Sequence, residues 1–243
     1  MIHVYNQNID LERLYSIDLV RPAKAKSRWK GIQHGHLVET LMQEIDKMGW
    51  SIGKKLFSIT NDGTDLVGAF DFDSTGGMTP PDGMNFALGF DNNNDRKKSL
   101  TMFVGGIVKV CTNGYVSGEL ILKRRHSKNL DLREEIKWAL ELYTESAEVL
   151  QDQIDDMKER KLNEEEWEHT LVESLRKGYI VGSRLLQLDR LYHEPPYEEH
   201  GKGTAWTAMQ AFTEVVKHSP AQRQMEFINR FRKLIPTELS VIA

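Results

Sequence analysis

The sequence predicts an α+β protein: an antiparallel β-sheet built from about residues 50–125, a preceding helix, and a helical C-terminal half that includes a long αα-hairpin. Three observations predict it. Between Trp50 and Lys123 the apolar residues alternate or run for strand lengths, punctuated by the turn formers Asn61-Asp62-Gly63, the decapeptide STGGMTPPDG (74–83), Asp91–Lys98 and Asn113-Gly114. On either side of that region the apolar spacing changes to three and four residues, the period of an amphipathic helix. The charge balance shifts with it. Residues 1–130 carry 17 Lys and Arg against 14 Asp and Glu, whereas residues 131–243 carry 15 against 22, which together make the net charge of −4.

A chain of 243 residues that is 40% hydrophobic and 28% charged can bury a substantial core. Its single cysteine excludes an internal disulfide framework and any multi-cysteine zinc site, and fits a reducing compartment. The opening MIHVYNQNIDLERLYSIDLV places acids where a signal peptide needs a positive start and an apolar core. No apolar run approaches the ~18 residues of a spanning helix. The expectation is a cytoplasmic protein without a membrane partner. It divides into a mainly β region with a basic N-terminal segment and one helix (1–128) and a helical region packed on it or extending from it (129–243).

In chain order, Met1–Tyr5 reads as a short strand and Ile9–Tyr15 as a short helix. RPAKAKSRWK follows, with Arg21, Lys24, Lys26, Arg28 and Lys30 around Trp29 and no acid. From His36 to Met48, the residues Leu37, Val38, Leu41, Met42, Ile45 and Met48 form one apolar stripe, and Gly49 is the stop. KKLFSITNDGTDLVGAFDFD (54–73) reads as strand, turn, strand. Asp71 and Asp73 lie two apart and share a face, read as the solvent side of an edge strand rather than a Mg²⁺ pair. Met84–Phe90 and Leu100–Thr112 are strands. Gly105 and Gly106 mark a bulge or a close backbone approach, and Asn113-Gly114 turns the chain into Tyr115–Lys123.

The helical half begins at Leu130–Arg160, where Ile136, Leu140, Tyr143, Ala147, Leu150, Ile154 and Met157 recur at helical spacing. Asn163 caps a second helix with Glu164–Glu166 in its first turn and Trp167, Leu171, Leu175 and Ile180 as its buried stripe. The two helices are expected to pair as the αα-hairpin and to offer an oligomer contact. Tyr192–Lys202 is a loop, Thr204–Lys217 a helix, and 220–234 a last helix carrying Arg223, Arg230, Arg232 and Lys233.

Candidate chemistry is sparse. DNNND (91–95) has calcium-loop side chains at its first, third and fifth positions, but it puts Arg96 where glycine is needed and Met102 where the glutamate belongs. It is read as a polar hairpin loop tipped by Arg96, Lys97 and Lys98. His34 with His36, and His193 with His200, match no zinc spacing, so no metal is assigned. Neither Gly-x4-Gly-Lys-Ser/Thr nor GxGxxG occurs, and no cofactor is expected. Cys111 is read as a buried thiol. With no complete catalytic set, an enzyme, metal-dependent if any, ranks third. The third basic cluster, Lys123, Arg124, Arg125 and Lys128, ends the sheet. An antiparallel sheet brings it to the same end as Arg96–Lys98. Cations beside Trp29 suit phosphate contact with base stacking, the recognition mode of single strands.

Lys109-Val-Cys-Thr-Asn-Gly-Tyr115, Arg125-His126-Ser127 and Gly203-Thr-Ala-Trp-Thr-Ala-Met-Gln-Ala-Phe-Thr-Glu214 resemble, in order and spacing over about residues 50–218, the landmarks of an uncharacterised phage- and plasmid-associated domain-of-unknown-function family. Where that family has an Asn-Ser-His-Asp-Gly-Ser-like turn, this chain has Asp91-Asn-Asn-Asn-Asp-Arg96, so no role carries over to the turn. The resemblance implies a mobile-element origin, with the host cytoplasm as location, and a part in DNA metabolism or host defence; it brings no catalytic residues. The leading expectation is a nucleic-acid-binding accessory protein that binds or anneals single-stranded DNA in recombination or replication, as a homo-oligomer. The alternative is a protein-interaction module, such as a phage inhibitor of host defence with a host protein partner, acting through the acidic helices.

Overall fold

The computed structural model describes residues 9–19, 22, 28–59, 62–80, 83–108, 114–217, 230–231 and 234–235. Five strands, β1 (Trp50–Ile59), β2 (Asp65–Thr75), β3 (Met84–Asn93), β4 (Leu100–Val108) and β5 (Gly114–Arg124), make one antiparallel sheet in the order β1-β2-β3-β4-β5. Every strand pairs with the next in sequence, as short polar turns between apolar strands require. Helices α1 (Leu11–Tyr15) and α2 (His34–Lys47) precede the sheet; α3 (Leu132–Glu159), α4 (Glu164–Arg176), α5 (Leu185–His193) and α6 (Ala205–Val216) follow it. The architecture is the expected α+β, with the helical half after the sheet.

The register puts Leu66, Phe70, Leu88, Phe90, Met102 and Val104 on one sheet face, all of them buried. α2 and α3 lie together against the sheet, α2 beside β1 and α3 across β4 and β5. Tyr143 on α3 donates its hydroxyl hydrogen to the Ala87 carbonyl (3.1 Å) and meets Trp50 and Phe72 in an aromatic cluster. The apolar cluster continues through α3 to α6, whose residues are buried on nearly every side. A capping box between Thr204 and Thr207 starts that helix. The β4–β5 register shifts between Met102 and Gly105, and a Cβ on Gly106 would come within 2.7 Å of Met84 Cε. The glycine pair therefore marks both an irregularity and a close approach.

Some expectations are corrected. β2 is an interior strand between β1 and β3, so Asp71 is buried and only Asp73 is exposed. β3 continues through Asp91 to Asn93, because β2 pairs with it to its first residue, Asp65. Asp91–Asn93 are thus a strand end, and the hairpin loop tipped by Arg96 begins at Asn94. α2 starts at His34, where Gln33 Oε1 accepts the His36 N–H (2.7 Å). α3 and α4 follow in the expected order, but their connection is pinned to the start of α6 by Leu162 N to Gly203 O (3.0 Å) and Ala205 N to Arg160 O (2.8 Å). α3 consequently packs on α2, the sheet and α6, and α4 on α5. There Trp167 stacks on Tyr192 at 4.0 Å and donates to Asp189. The buried stripe of α4 passes through Ser174, which leaves the neighbouring Leu175 41% exposed. Met1–Tyr5, Cys111, the Asn113 half of its turn, and most of 220–234 lie outside the described residues. No helix among the described residues is long and apolar enough to cross a membrane.

Candidate nucleic-acid interface

The end of β3 organises this site. Continuing the strand period past Phe90 turns Asn92 inward, where it is fully buried. Its amide nitrogen donates to the Ile32 carbonyl (2.9 Å) and to His34 Nδ1 (2.9 Å), and its oxygen accepts from His126 Nε2 (2.8 Å). These contacts put a proton on Nε2 of both imidazoles and leave His34 neutral, since its Nδ1 accepts while its Nε2 donates to the Gly63 carbonyl (3.0 Å). Burial pushes His126 down to about 4, with His34 adding to the effect, and burial lowers His34 as well. The ring pair stays uncharged at neutral pH.

Asn94 acts on the same segment. Its side chain accepts the Ile32 N–H (3.0 Å) and donates to the Ile32 carbonyl (2.9 Å), so one amide replaces a missing strand neighbour. Gly31 permits this closeness: a Cβ there would meet Trp29 Cη2 at 2.9 Å and Asn94 Oδ1 at 3.0 Å. Farther along, the Lys128 N–H donates to the Arg28 carbonyl (2.9 Å). Asn93 Oδ1 accepts from the backbone N–H groups of Asp95, Lys97 and Lys98, which folds the β3–β4 turn back on itself. At its tip Arg96 has φ 72°, the one positive φ of a non-glycine residue among those described.

Three sequence segments are thereby fastened side by side. Arg28, Trp29, Arg96, Lys97, Lys98 and Arg125 line one cleft of about 580 Å³, with Ser99, His126 and Ser127. Trp29 is half-buried, and its Nε1 is shielded from solvent without a hydrogen-bond partner among the described residues. Lys30 and Lys128 border a neighbouring cleft of about 600 Å³ that also touches Ser127, His36 and Arg133. Two expected residues point elsewhere. Arg124 Nε reaches Glu135 Oε2 on α3 (2.6 Å) and its guanidinium lies 5.2 Å from the Trp138 ring centre. Lys123 is exposed and lines neither cleft. Arg21, Lys24 and Lys26 lie outside the described residues.

Behind Lys98 are two carboxylates. Lys98 Nζ is 2.8 Å from Asp65 Oδ2 and 3.3 Å from Asp91 Oδ2, while Lys97 pairs with Asp95. Desolvation and the charge of Asp65 push Asp91 up to about 7 despite the lysine. The other metal-capable groups do not assemble: His200 is buried with its pKa pushed down to about 4 by desolvation, and His193 engages Asp189 and Glu164 at the end of α5. Among the described residues no three His, Cys, Asp or Glu side chains converge to hold a metal.

Sequence reasoning missed Asn92, Asn94, His34, His126 and Asp65. One signal was available: DNNND follows Phe90 without glycine or proline, and strand alternation carried two residues further puts Asn92 on the face of Leu88 and Phe90. The Gly203–Glu214 landmark forms the cap and body of buried α6, so its place is in the core. Among known proteins, the family model described as Domain of unknown function (DUF932) matches residues 26–235, and no curated protein and no solved structure matches.

Proposed function

We propose that this chain, which belongs to the DUF932 family, is a nucleic-acid-binding accessory protein that takes single-stranded DNA in the cleft between residues 28–29, 96–98 and 125–127. One observation carries the reading: residues from three separate basic clusters line one cleft with an indole among them. Cations placed around a ring suit a strand whose phosphates are held electrostatically while an unpaired base stacks, a mode worth about 1–3 kcal/mol per stacked base. A duplex keeps its bases stacked inside and offers no such face. The finer reading, a phage- or plasmid-borne protein of recombination or replication working as a homo-oligomer in the host cytoplasm, extends this from the landmarks in the sequence.

The test is binding of a labelled single-stranded oligonucleotide as a function of salt. Affinity should fall steeply with rising salt, and the paired change Arg96→Glu with Arg125→Glu should weaken it at least about tenfold at low salt, two phosphate contacts having become repulsive. Arg124→Glu should weaken it far less, because Arg124 serves Glu135 and Trp138. Equal effects of the two changes, or no binding at low salt, would refute the cleft as the interface.

A second reading has an observation of its own. Val172 and Leu175 on α4, Val181 after it and Leu186 on α5 are exposed apolar side chains within the acidic half, and Leu186 is 83% exposed. They support a protein contact there, between copies or with a host protein. If copies associate through these side chains, Leu186→Glu together with Val181→Glu should lower the mass measured by light scattering; an unchanged mass would exclude them as the contact between copies.

A further inference from the structure

A count of charge beside the cleft points to a proton. Asp65 pairs with Asn93, two residues beyond Asp91, so the two carboxylates are diagonal neighbours on one face of β2 and β3. Both residues are buried, at 9% and 8% exposure, and one ammonium serves both at 2.8 and 3.3 Å. Two ionised carboxylates sharing one ammonium repel each other in a desolvated place, and a proton held between them relieves that repulsion. That same lysine lines the cleft, so an anion bound there would compete with the carboxyl pair for its ammonium.

We infer that Asp65 and Asp91 form a proton-binding site that holds Lys98 strongly when both are ionised and loosens that hold, in favour of a phosphate oxygen, when they share a proton. Anion binding in the cleft then takes up a proton, and proton binding raises anion affinity by the same factor. The inference rests on the proposed nucleic-acid reading for the identity of its ligand, and on the geometry alone for the proton. The Asp91 pKa near 7 places the switch within the physiological range. Among the described residues, Lys97 and His34 lie close to Asp65, Asp62 lies close to Lys97, and Arg28, Arg96, Arg125 and His126 line the same cleft as Lys98. Lys97 is engaged by Asp95 and His34 is kept neutral, and Lys98 is the cation that bridges the two carboxylates.

The experiment has two readouts on the full chain: the infrared band of protonated carboxyl groups in the free protein, and affinity for a single-stranded oligonucleotide and for inorganic pyrophosphate at pH 6 and pH 8. The wild type should show a carboxyl band at pH 6 that fades by pH 8, and affinity that drops about fivefold over the same interval, the lower end of ordinary coupling. Asp91→Asn and Asp65→Asn, close to the protonated carboxyl in shape, should each lose that band and keep at pH 8 the affinity they have at pH 6. Two variants guard against one misfolding. A missing band, a pH slope that persists in folded variants, or the absence of a slope with both ligands would overturn the inference. Pyrophosphate binding with the expected slope, but no oligonucleotide binding at any pH, would uphold the switch and refute only the nucleic-acid reading.

Discussion

Asn92 illustrates how much one side chain settles here. Its amide satisfies the Ile32 carbonyl, His34 and His126 at once, and every contact lies out of water. Replacing it with alanine strands the two buried imidazoles, while the Ile32 carbonyl keeps the Asn94 amide, at roughly 1–3 kcal/mol for each unsatisfied group. Asn92→Ala should therefore lower stability by about 2 kcal/mol or more in denaturant titration, and loosen the cleft with it. A loss below about 1 kcal/mol would mean that water replaces the amide and that the cleft is not held by this network. Arg96 is a contrasting residue. It keeps a left-handed backbone that glycine adopts without cost, and it presents a cation to the cleft.

At the scale of elements, the segment 28–32 is a strap with no ladder of its own. Side-chain amides from the end of β3 hold it at Ile32, and one backbone hydrogen bond from Lys128 holds it at Arg28. Gly31 sits where the strap passes between Trp29, Asn94 and Leu19, each about 3 Å from a hypothetical Cβ. Gly31→Ala should displace the indole and the Asn94 amide together, costing about 1–3 kcal/mol as overpacking does. Quenching of tryptophan fluorescence by iodide should rise if Trp29 is pushed outward; unchanged quenching and stability would show that the strap yields freely. α6 behaves otherwise. It is buried nearly all round, and its motif is explained by the core it fills.

For the whole molecule, the buried ionisable groups set opposing dependences on pH. His126 and His200 fall to about 4 and His34 is lowered, so the unfolded chain binds protons that the native chain refuses. That stability is present above about pH 6.5 and is lost as pH falls toward 4. Asp91 runs the other way: its folded pKa is raised to about 7, so its contribution is present at low pH and lost as pH rises through 7. Three histidines outweigh one aspartate on the acid side, and above about pH 6.5 the last of their gain is offset by Asp91 and by His193, whose pKa is raised by the Asp189 carbonyl and by Glu164. The melting temperature should rise from about pH 4.5 to 6.5 and then level off toward about pH 8. In Asp91→Asn it should go on rising slightly over that upper interval, with the acid limb unchanged. A wild-type melting temperature that climbs between about pH 7 and 8 as steeply as below about pH 6.5 would contradict the assignment of these groups.

The sequence by itself determined the α+β class, the order of helix, sheet and helices, the Asn163 cap and the core stripe of α3, because each depends on local period and capping that neighbouring residues carry. It also pointed to Arg28, Trp29, Arg96–Lys98 and Arg125 as separate clusters. Only the tertiary structure decided that these meet in one cleft, that Arg124 does not join them, and that Asp91–Asn93 end a strand. Those outcomes depend on strand length and register. Pairing of Asp65 with Asn93 extends β3 past the residues whose composition reads as a turn, and so turns Asn92 toward two histidines that lie 58 and 34 residues away in the chain. A polar run has the same composition in a loop and at the end of a buried strand; what separates the two is whether partners from distant segments arrive to satisfy it.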